Sequence, residues 1–375
     1  MTENIIEVRN VSKSYGGVVA NHDISLDVPS GKITGLIGPN GSGKTTLFNS
    51  VVGYHPTDGG SIKFEGQEIS EKRVPDIARL GMLRTFQQTR IYSKMDCMDN
   101  MQISVSHRGR SVFDMFSSRK GEIADRAEVL LEFVGLYSKR NLISGELSFG
   151  QQKLLEFAMA LMNEPKVLLL DEPLGALDKK LREQMQLELR DLQREVGITF
   201  VFVTHDQEEA LTMSDRIAVM RDGKALEIDG PVDLYEKPKT PFCADFLGTM
   251  NFFEGSIDAI GGGEATVKTT EVGTIKSTGP NMNFSTGDAV SAAIRPENMK
   301  ISFDKPTSGS FMEGKVRASA FLGDRAHVYI NVEGRKDPVL TAMQNMGGAA
   351  SRVGGDDHTV WLTWSDESVI LLPQE

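Results

Sequence analysis

Residues 38–46 read GPNGSGKTT, a run whose residue types and spacing suit phosphate binding. Gly38, four further residues and then Gly43, Lys44 and Thr45 match the phosphate-loop pattern. Glycines let the backbone curl so that several N–H groups point at phosphate oxygens. In such loops the lysine reaches the β- and γ-phosphates and the hydroxyl ligates Mg²⁺. The pattern predicts a nucleoside-triphosphate site made of Gly38, Pro39, Asn40, Gly41, Ser42, Gly43, Lys44, Thr45 and Thr46.

The segments on either side of this loop must hold it in place. Residues 33–37, ITGLI, predict a short buried strand, and residues 46–52 predict a helix. A strand, a glycine loop and a helix N-terminus together form an anion site. A glycine-rich turn without function is the alternative, and the flanking elements argue against it.

Acidic and imidazole side chains follow two other predicted strands. Asp171 and Glu172 come after the apolar run 167–170, and His205 follows the run 199–204. Ligands of parallel sheets bind at the carboxyl ends of the strands. We therefore expect Asp171 to hold Mg²⁺, Glu172 to polarise the attacking water, and His205 to contact the γ-phosphate. The alternatives are an ordinary acidic turn and a structural histidine.

A further candidate is the hexapeptide LSFGQQ at residues 147–152, which precedes an apolar helical segment. Ser148 with Gln151 three residues later fits a capping box, which is a structural helix start. The free N–H groups of the same helix end, with the Ser148 hydroxyl, also suit a phosphate. The two interpretations are compatible.

Composition limits the class of protein. The chain has 375 residues, a formal net charge of −11 and two cysteines, Cys97 and Cys243. These values argue against general nucleic-acid binding, a disulfide framework and a cysteine-rich metal site. The N-terminus lacks the apolar segment of a signal peptide, and no run reaches the roughly 18 apolar residues of a spanning helix. We expect a cytosolic chain that acts at a membrane only by binding a membrane protein.

The order of predicted elements indicates two domains. Strands and helices alternate over residues 1–247, which is typical of an α/β fold with a mainly parallel, doubly wound sheet. Short β-rich segments with glycine turns follow in residues 248–375. Those segments predict a small antiparallel barrel or sandwich.

Taken in order, GPNGSGKTT, LSFGQQ, VLLLDEP, GALD and VTHDQEEA resemble the ATP-binding subunit of an ABC transporter. The resemblance implies a P-loop NTPase core with a helical subdomain at about residues 89–158. By this resemblance, Tyr15 stacks on adenine and His205 is the switch histidine. Gln87 is the glutamine that approaches Mg²⁺, although Gln88 beside it leaves the register open. Ser148, Gly150 and Gln151 resemble the signature that closes on ATP held by an opposite subunit, and Asp178 resembles a contact to that subunit's glycine loop.

The same resemblance implies partners and a location. ATP and Mg²⁺ are the expected cofactors, and ATP joins two copies of the chain in a head-to-tail dimer. The expected partners are integral-membrane permease subunits and, indirectly, a periplasmic or extracellular solute-binding protein, with no nucleic acid. The expected location is the cytoplasmic face of the cell membrane.

Different parts of the chain resemble importers of different solutes. Residues 293–298 and 320–323 resemble the C-terminal domain, of the type called TOBE, in importers of polyamines, sugars, iron or sulfate. That domain is either regulatory or a passive dimer-stabilising module. Residues 17–105 look more like branched-chain amino-acid importers, and Phe149 stands where the signature commonly has glycine. We predict import of a polyamine (spermidine or putrescine) or a related solute. The alternatives are the other solutes, an exporter subunit, a nucleotide sensor, or a non-transport ABC ATPase.

Overall fold

The protein is described here by a computed structural model covering residues 3–84, 91–105, 119–175, 177–280, 283–344 and 358–374, with main chain only at 119 and 120. The chain forms two compact units, Met1–Pro231 and Val232–Glu375. In the described ranges, no helix combines the length and apolar character needed to cross a membrane.

The first unit alternates strands and helices. Its strands are β1 (Asn4–Tyr15), β2 (Val18–Pro29), β3 (Ile33–Ile37), β4 (Gly59–Phe64), β5 (Gln67–Glu68), β6 (Met82–Arg84), β7 (Val167–Asp171), β8 (Thr199–Thr204), β9 (Arg216–Arg221) and β10 (Lys224–Asp229). Its helices are α1 (Lys44–Val51), α2 (Val74–Leu80), α3 (Cys97–Ile103), α4 (Arg119–Phe133), α5 (Phe149–Leu161), α6 (Lys179–Val196) and α7 (Gln207–Met213).

The central sheet has the order β10-β9-β3-β8-β7-β6 among the described strands. All its ladders are parallel except β9–β10. β7 and β8 are apolar along their length because both of their faces are covered. Leu168 and Phe200 point into a core shared with α3, α4, α5 and α6, while Leu169 and Val201 point into a core shared with α1, β1 and β2. The predicted α/β class is confirmed.

A second sheet in this unit was not anticipated from the sequence. β1, β2, β4 and β5 form an antiparallel sheet in the order β2-β1-β4-β5. Short apolar runs over residues 5–28, such as 24–28, predict several short strands, whereas the structure has β1 and β2 as two long strands of one hairpin. Register shifts interrupt the β1–β2 ladder, and they break the alternation of apolar residues that would identify a long strand. Gly16, at φ 59°, turns the hairpin.

The predicted helical subdomain at about 89–158 falls partly on residues outside the described ranges. Its described part contains α3, α4 and α5 with two 3-10 turns at Tyr137–Lys139 and Ser144–Glu146. These helices bury their apolar faces against the same core as α6. Its role as a separate subdomain stays a prediction.

The second unit is mainly β structure. It contains most of α8 (Pro231–Glu236), α9 (Pro241–Phe246), β11 (Asn251–Gly261), β12 (Glu264–Thr269), β13 (Thr274–Ser277), β14 (Ala289–Ile294), β15 (Lys300–Ser302), β16 (Ser310–Phe321), β17 (Arg325–Asn331), β18 (Val339–Gln344), β19 (Thr359–Trp364) and β20 (Val369–Pro373). In the described residues these strands form two five-stranded antiparallel sheets, β13-β12-β11-β14-β20 and β15-β19-β16-β17-β18. Their inner faces share one apolar core, as in a small sandwich or barrel.

The second compact unit includes α9 and most of α8, and the domain boundary at 247/248 stays a prediction. Arg295 is a buried side chain that donates to the carbonyls of Tyr235 and Ala244, each at 2.9 Å, and to that of Gly248. These bonds attach α8 and α9 to β14. A buried guanidinium needs such partners, because leaving it unpaired is costly.

Candidate functional site

The central sheet brings the predicted motifs to one edge. Ile37 of β3 pairs with Thr204 of β8, and Asp171 of β7 pairs with Val203. The chain therefore leaves three adjacent strands at nearly the same level, where the glycine loop, Glu172 and His205 begin. Neighbouring strands lie about 4.8 Å apart, so these groups surround one small volume.

The glycine loop has a backbone that other residues would not adopt. Gly38 and Gly43 have φ of 153° and 95°, in the region that favours glycine. A Cβ at Gly43 would lie 2.3 Å from the Ala20 carbonyl, and one at Gly38 would lie 2.2 Å from that of Met220. Neighbouring backbone thus packs against the outside of the loop, so that its inner surface is left for a ligand.

The Lys44 ammonium lies against this loop. It donates to the carbonyls of Gly38, at 2.6 Å, and Pro39, at 2.9 Å. Burial lowers the pKa of Lys44, and the negative charge of Glu172 opposes that shift. A desolvated cation in a loop of N–H groups is a strong partner for an anion.

The helix that follows the loop has an open N-terminus. α1 is preceded by Gly43, which supplies no side-chain cap. The Ser42 hydroxyl is buried and makes no hydrogen bond within the described residues. Unsatisfied donors at a helix N-terminus attract negative charge. The predicted phosphate loop therefore has the geometry of an anion site, with Thr45 exposed at its rim.

Glu172 and His205 meet directly. Glu172 Oε1 lies 3.1 Å from His205 Nδ1, and the Glu172 N–H donates to the Val203 carbonyl at 2.9 Å. Glu172 has φ of 44°, a conformation that costs a non-glycine residue about 1–3 kcal/mol. Such strain is common at functional sites, where it aims a side chain.

Tyr15 ends β1, and the residue is 43% exposed. Lys13 Nζ lies 5.4 Å from the ring centroid, over one face, and the His55 ring meets it edge-on at 5.7 Å. Lys13 is in turn paired with Asp58 at 2.8 Å. These contacts hold the ring from two sides, and its stacking on adenine stays a prediction.

The signature residues lie apart from the loop. Ser148 accepts the Gln151 N–H at 3.3 Å, and Gln151 Oε1 accepts the Ser148 N–H at 3.2 Å, which is the capping box expected from the sequence. Gly150 packs on Leu181 of α6. Within the described ranges, no hydrogen bond or ion pair joins Ser148, Gly150 or Gln151 to residues 38–46. Asp178 caps α6 by accepting the Leu181 N–H at 3.0 Å. Gln87 and Gln88 lie outside the described residues.

Sequence reasoning missed a polar network beside His205. Arg182 donates to Asp206 at 2.7 Å and to the Leu177 carbonyl at 3.0 Å, which connects the segment before α6 to the segment before α7. Asp206 also accepts the Glu209 N–H at 3.1 Å. Arg182 is four residues after Asp178, the helical spacing of a shared face, and this spacing was the available signal.

Glu209 is the most perturbed acid of this network. It is 1% exposed, and the Thr204 hydroxyl donates to it at 2.5 Å. Burial raises the pKa of Glu209 to about 7, although the bond from Thr204 opposes the shift. This carboxyl group is therefore partly protonated at neutral pH.

The oxygen donors of the site suit Mg²⁺ bound together with a nucleotide. Thr45 and Asp171 supply a hydroxyl and a carboxylate, and Mg²⁺ is usually held by one or two carboxylates plus substrate phosphates. Among the described residues, no group of three or more His, Cys, Asp or Glu side chains is arranged to hold a metal alone. A hydroxyl and a carboxylate are donors that fit the expected Mg²⁺.

The parallel sheet, the glycine loop after β3 and the acidic pair after β7 define a P-loop nucleoside triphosphatase with an added β unit. The sequence model of the ABC transporter family matches residues 21–175, and that of the TOBE domain matches residues 292–372. Among solved structures, an ABC transporter ATP-binding cassette in its ADP conformation is similar, with a TM-score of 0.57 and 30% identity over 63% of this chain and 96% of that one. A nucleotide-free cassette gives a TM-score of 0.54 and 30% identity over 61% and 92%.

Curated relatives are similar along nearly the whole chain. The spermidine/putrescine import ATP-binding protein PotA of Rubrobacter xylanophilus is 37% identical over 95% of this chain and 91% of its own length. The protein of the same name from Chromobacterium violaceum is 38% identical over 96% and 97%. The chain belongs to the family of ABC transporter ATP-binding proteins, and it is an ATPase of that family.

The buried acid Glu209 predicts a pH dependence of stability. Because the pKa of Glu209 in the folded state, about 7, exceeds the ordinary glutamate pKa of 4.5, the folded state binds the proton more tightly than the unfolded state. Protonated Glu209 therefore adds roughly 3 kcal/mol to the free energy of unfolding below pH ~4.5, and this contribution is lost as the pH rises towards ~7. Urea unfolding measures the free energy of unfolding of Glu209→Gln minus that of wild type. We expect this difference to be about 2–3 kcal/mol more favourable to the variant at pH 8 than at pH 5. The exposed neighbour variant Glu208→Gln should show no such difference, and equal shifts at both pH values would contradict the assignment.

Proposed function

We propose that this chain hydrolyses ATP to drive import of a polyamine such as spermidine or putrescine through membrane permease subunits. The observation that carries the ATPase part is the Glu172–His205 pair, 3.1 Å apart, beside the glycine loop. The names of the similar import proteins support the solute and the direction of transport. The site of action is the cytoplasmic face of the cell membrane.

The residues divide the chemistry among them. The glycine loop and Lys44 bind the β- and γ-phosphates, and Tyr15 stacks on adenine. Thr45 and Asp171 would hold Mg²⁺, with Gln87 as a further predicted ligand, and such an ion would neutralise charge on the phosphates. Glu172 takes a proton from water as the water oxygen bonds to the γ-phosphorus and ADP leaves, and His205 orients Glu172 and contacts the γ-phosphate.

The second wall of the site comes from another copy of the chain. Ser148, Gly150 and Gln151 are separate from the glycine loop of their own chain, and Asp178 is exposed at the start of α6. In a head-to-tail dimer the signature of one copy closes on ATP bound to the other. ATP then stabilises the closed dimer, and hydrolysis reopens it. A solute-binding protein outside the membrane delivers the solute to the permease.

Glu172→Gln tests the role of the base. The amide keeps the size of the side chain but takes up no proton, so turnover should fall by at least about a hundredfold while ATP affinity is retained. ATP hydrolysis and equilibrium binding of a fluorescent ATP analogue measure the two quantities. Glu208→Gln, at an exposed position nearby, is the matched control. Hydrolysis close to the wild-type rate would remove Glu172 from this role.

Mixed dimers test whether each site is shared between chains. Lys44→Ala disables a glycine loop, and Ser148→Arg blocks a signature. If sites are composite, both changes on one chain destroy both sites, whereas one change on each chain leaves one site intact. If sites lie within single chains, these outcomes are reversed. ATP retained by purified mixed dimers, all carrying Glu172→Gln to prevent turnover, distinguishes the two arrangements.

The solute is tested on the assembled transporter. We expect spermidine or putrescine, presented with its binding protein, to stimulate ATP hydrolysis by the complex in membranes severalfold. Leucine, sulfate and maltose with the same complex are the controls, because they represent the other solute classes. Stimulation by one of these alone would reject the polyamine and keep the ATPase assignment.

A further inference from the structure

Arg84 is a side chain that the proposed reaction does not use, although it lies beside the site. It lies in β6, which pairs with β7 in the central sheet and is the outermost of the described strands on that side. Its guanidinium donates to Asp171 Oδ2 at 2.5 Å and to Asn49 Oδ1 at 2.5 Å. One cation therefore connects the acidic strand end to the helix after the glycine loop.

The guanidinium is held from several sides. Its central carbon lies 5.0 Å from the centroid of the Phe48 ring and 5.4 Å from that of Tyr54, within the range of cation–π contact. The side chains of Arg84 and Asp171 are 12% and 13% exposed. A pair this well shielded is much less screened by water than a surface pair, and breaking it leaves a charge without its partner.

The position of Asn49 links this bridge to Thr45. Asn49 is four residues after Thr45 on α1, so both side chains lie on the same face of that helix. Thr45 and Asp171 are the two described residues assigned to Mg²⁺. Arg84 thus holds Asp171 directly. It holds Thr45 indirectly, through Asn49 on the same face of α1.

The bond to Arg84 also selects one oxygen of the carboxylate. Oδ2 of Asp171 accepts from the guanidinium, and Oδ1 accepts no hydrogen bond within the described residues. A carboxylate fixed through one oxygen presents the other at a defined place. Partners that orient metal ligands in this way commonly affect metal affinity about 10–100-fold.

We propose that Arg84 is a positioning residue that sets the distance and orientation of Asp171 relative to Thr45 for Mg²⁺ bound with ATP. This inference rests on the proposed nucleotide site. Its opposite is a simple charge effect, in which Arg84 repels Mg²⁺ and weakens its binding. The two differ in sign, because removing a repelling cation would lower the Mg²⁺ requirement and removing a positioning group raises it.

Arg84→Met tests the proposal, since methionine keeps an apolar stem against Phe48 and Tyr54 but makes neither bond. A fluorescent ATP analogue is bound to the full-length chain first in EDTA and then during a Mg²⁺ titration. We expect affinity in EDTA to stay within about twofold of wild type and the half-saturating Mg²⁺ concentration to rise about tenfold. Arg79→Met removes the same charge from an exposed helix position, where Arg79 pairs with Asp76, and should leave both values unchanged.

Two further variants separate positioning from folding. Arg84→Lys keeps the charge but lacks the fork that spans two acceptors, so it should recover only part of the Mg²⁺ affinity. Asn49→Ala should shift the requirement in the same direction by less, and its effect should be largely absent in the Arg84→Met background. An unchanged or lowered Mg²⁺ requirement in Arg84→Met overturns the proposal. Equal loss of binding in EDTA and in Mg²⁺ assigns Arg84 to the fold instead, and failure of wild type to bind the analogue rejects the nucleotide site itself.

Discussion

The parallel pairing of β3, β8 and β7 is the constraint on which the rest of the site depends. Their registers fix where each strand ends, so that residues far apart in the chain start at one level above the sheet. These ladders exist because the strands are apolar on both faces and are covered by a separate core on each side. A slip of one residue would turn every core side chain of a strand to the opposite face. Packing in the two cores therefore fixes the strand register, and the register fixes the positions of the site residues.

Charge burial is the second constraint. Lys44, Arg84 and Arg182 lie close to acids and backbone carbonyls at the same sheet edge. Each is a cation in a partly desolvated place, and each has partners that offset the cost of desolvation. Moving any member of this set would leave another group without a partner, which is costly in a desolvated place. Interactions of this kind hold side chains in position, and phosphoryl transfer depends on positioning.

The sequence predicted the parts of the structure that depend on local patterns. The strands after which the glycine loop, Glu172 and His205 lie were placed correctly, since continuous apolar runs and glycine spacing are visible in one segment. The antiparallel sheet of β1, β2, β4 and β5 was missed because bulges interrupt its periodicity. The bridge from Arg84 to Asn49 and Asp171 joins three distant segments, and no pattern within a window reports such a contact. Tyr15, Gln87 and the signature residues entered through resemblance, and their roles remain predictions.

The capping box at Ser148 leaves this residue able to serve the proposed dimer, because a hydroxyl can accept through a lone pair and donate its own proton at the same time. The Ser148 oxygen accepts the Gln151 N–H at 3.3 Å, which caps the start of α5. An N-cap of this kind is worth about 1 kcal/mol. A hydrogen bond donated by the Ser148 hydroxyl to a charged phosphate oxygen is worth about 1.5–3 kcal/mol. Because this bond uses the hydroxyl proton and the cap uses a lone pair, the phosphate contact adds to the cap and does not replace it. A structural cap and a phosphate contact can therefore share the same residue.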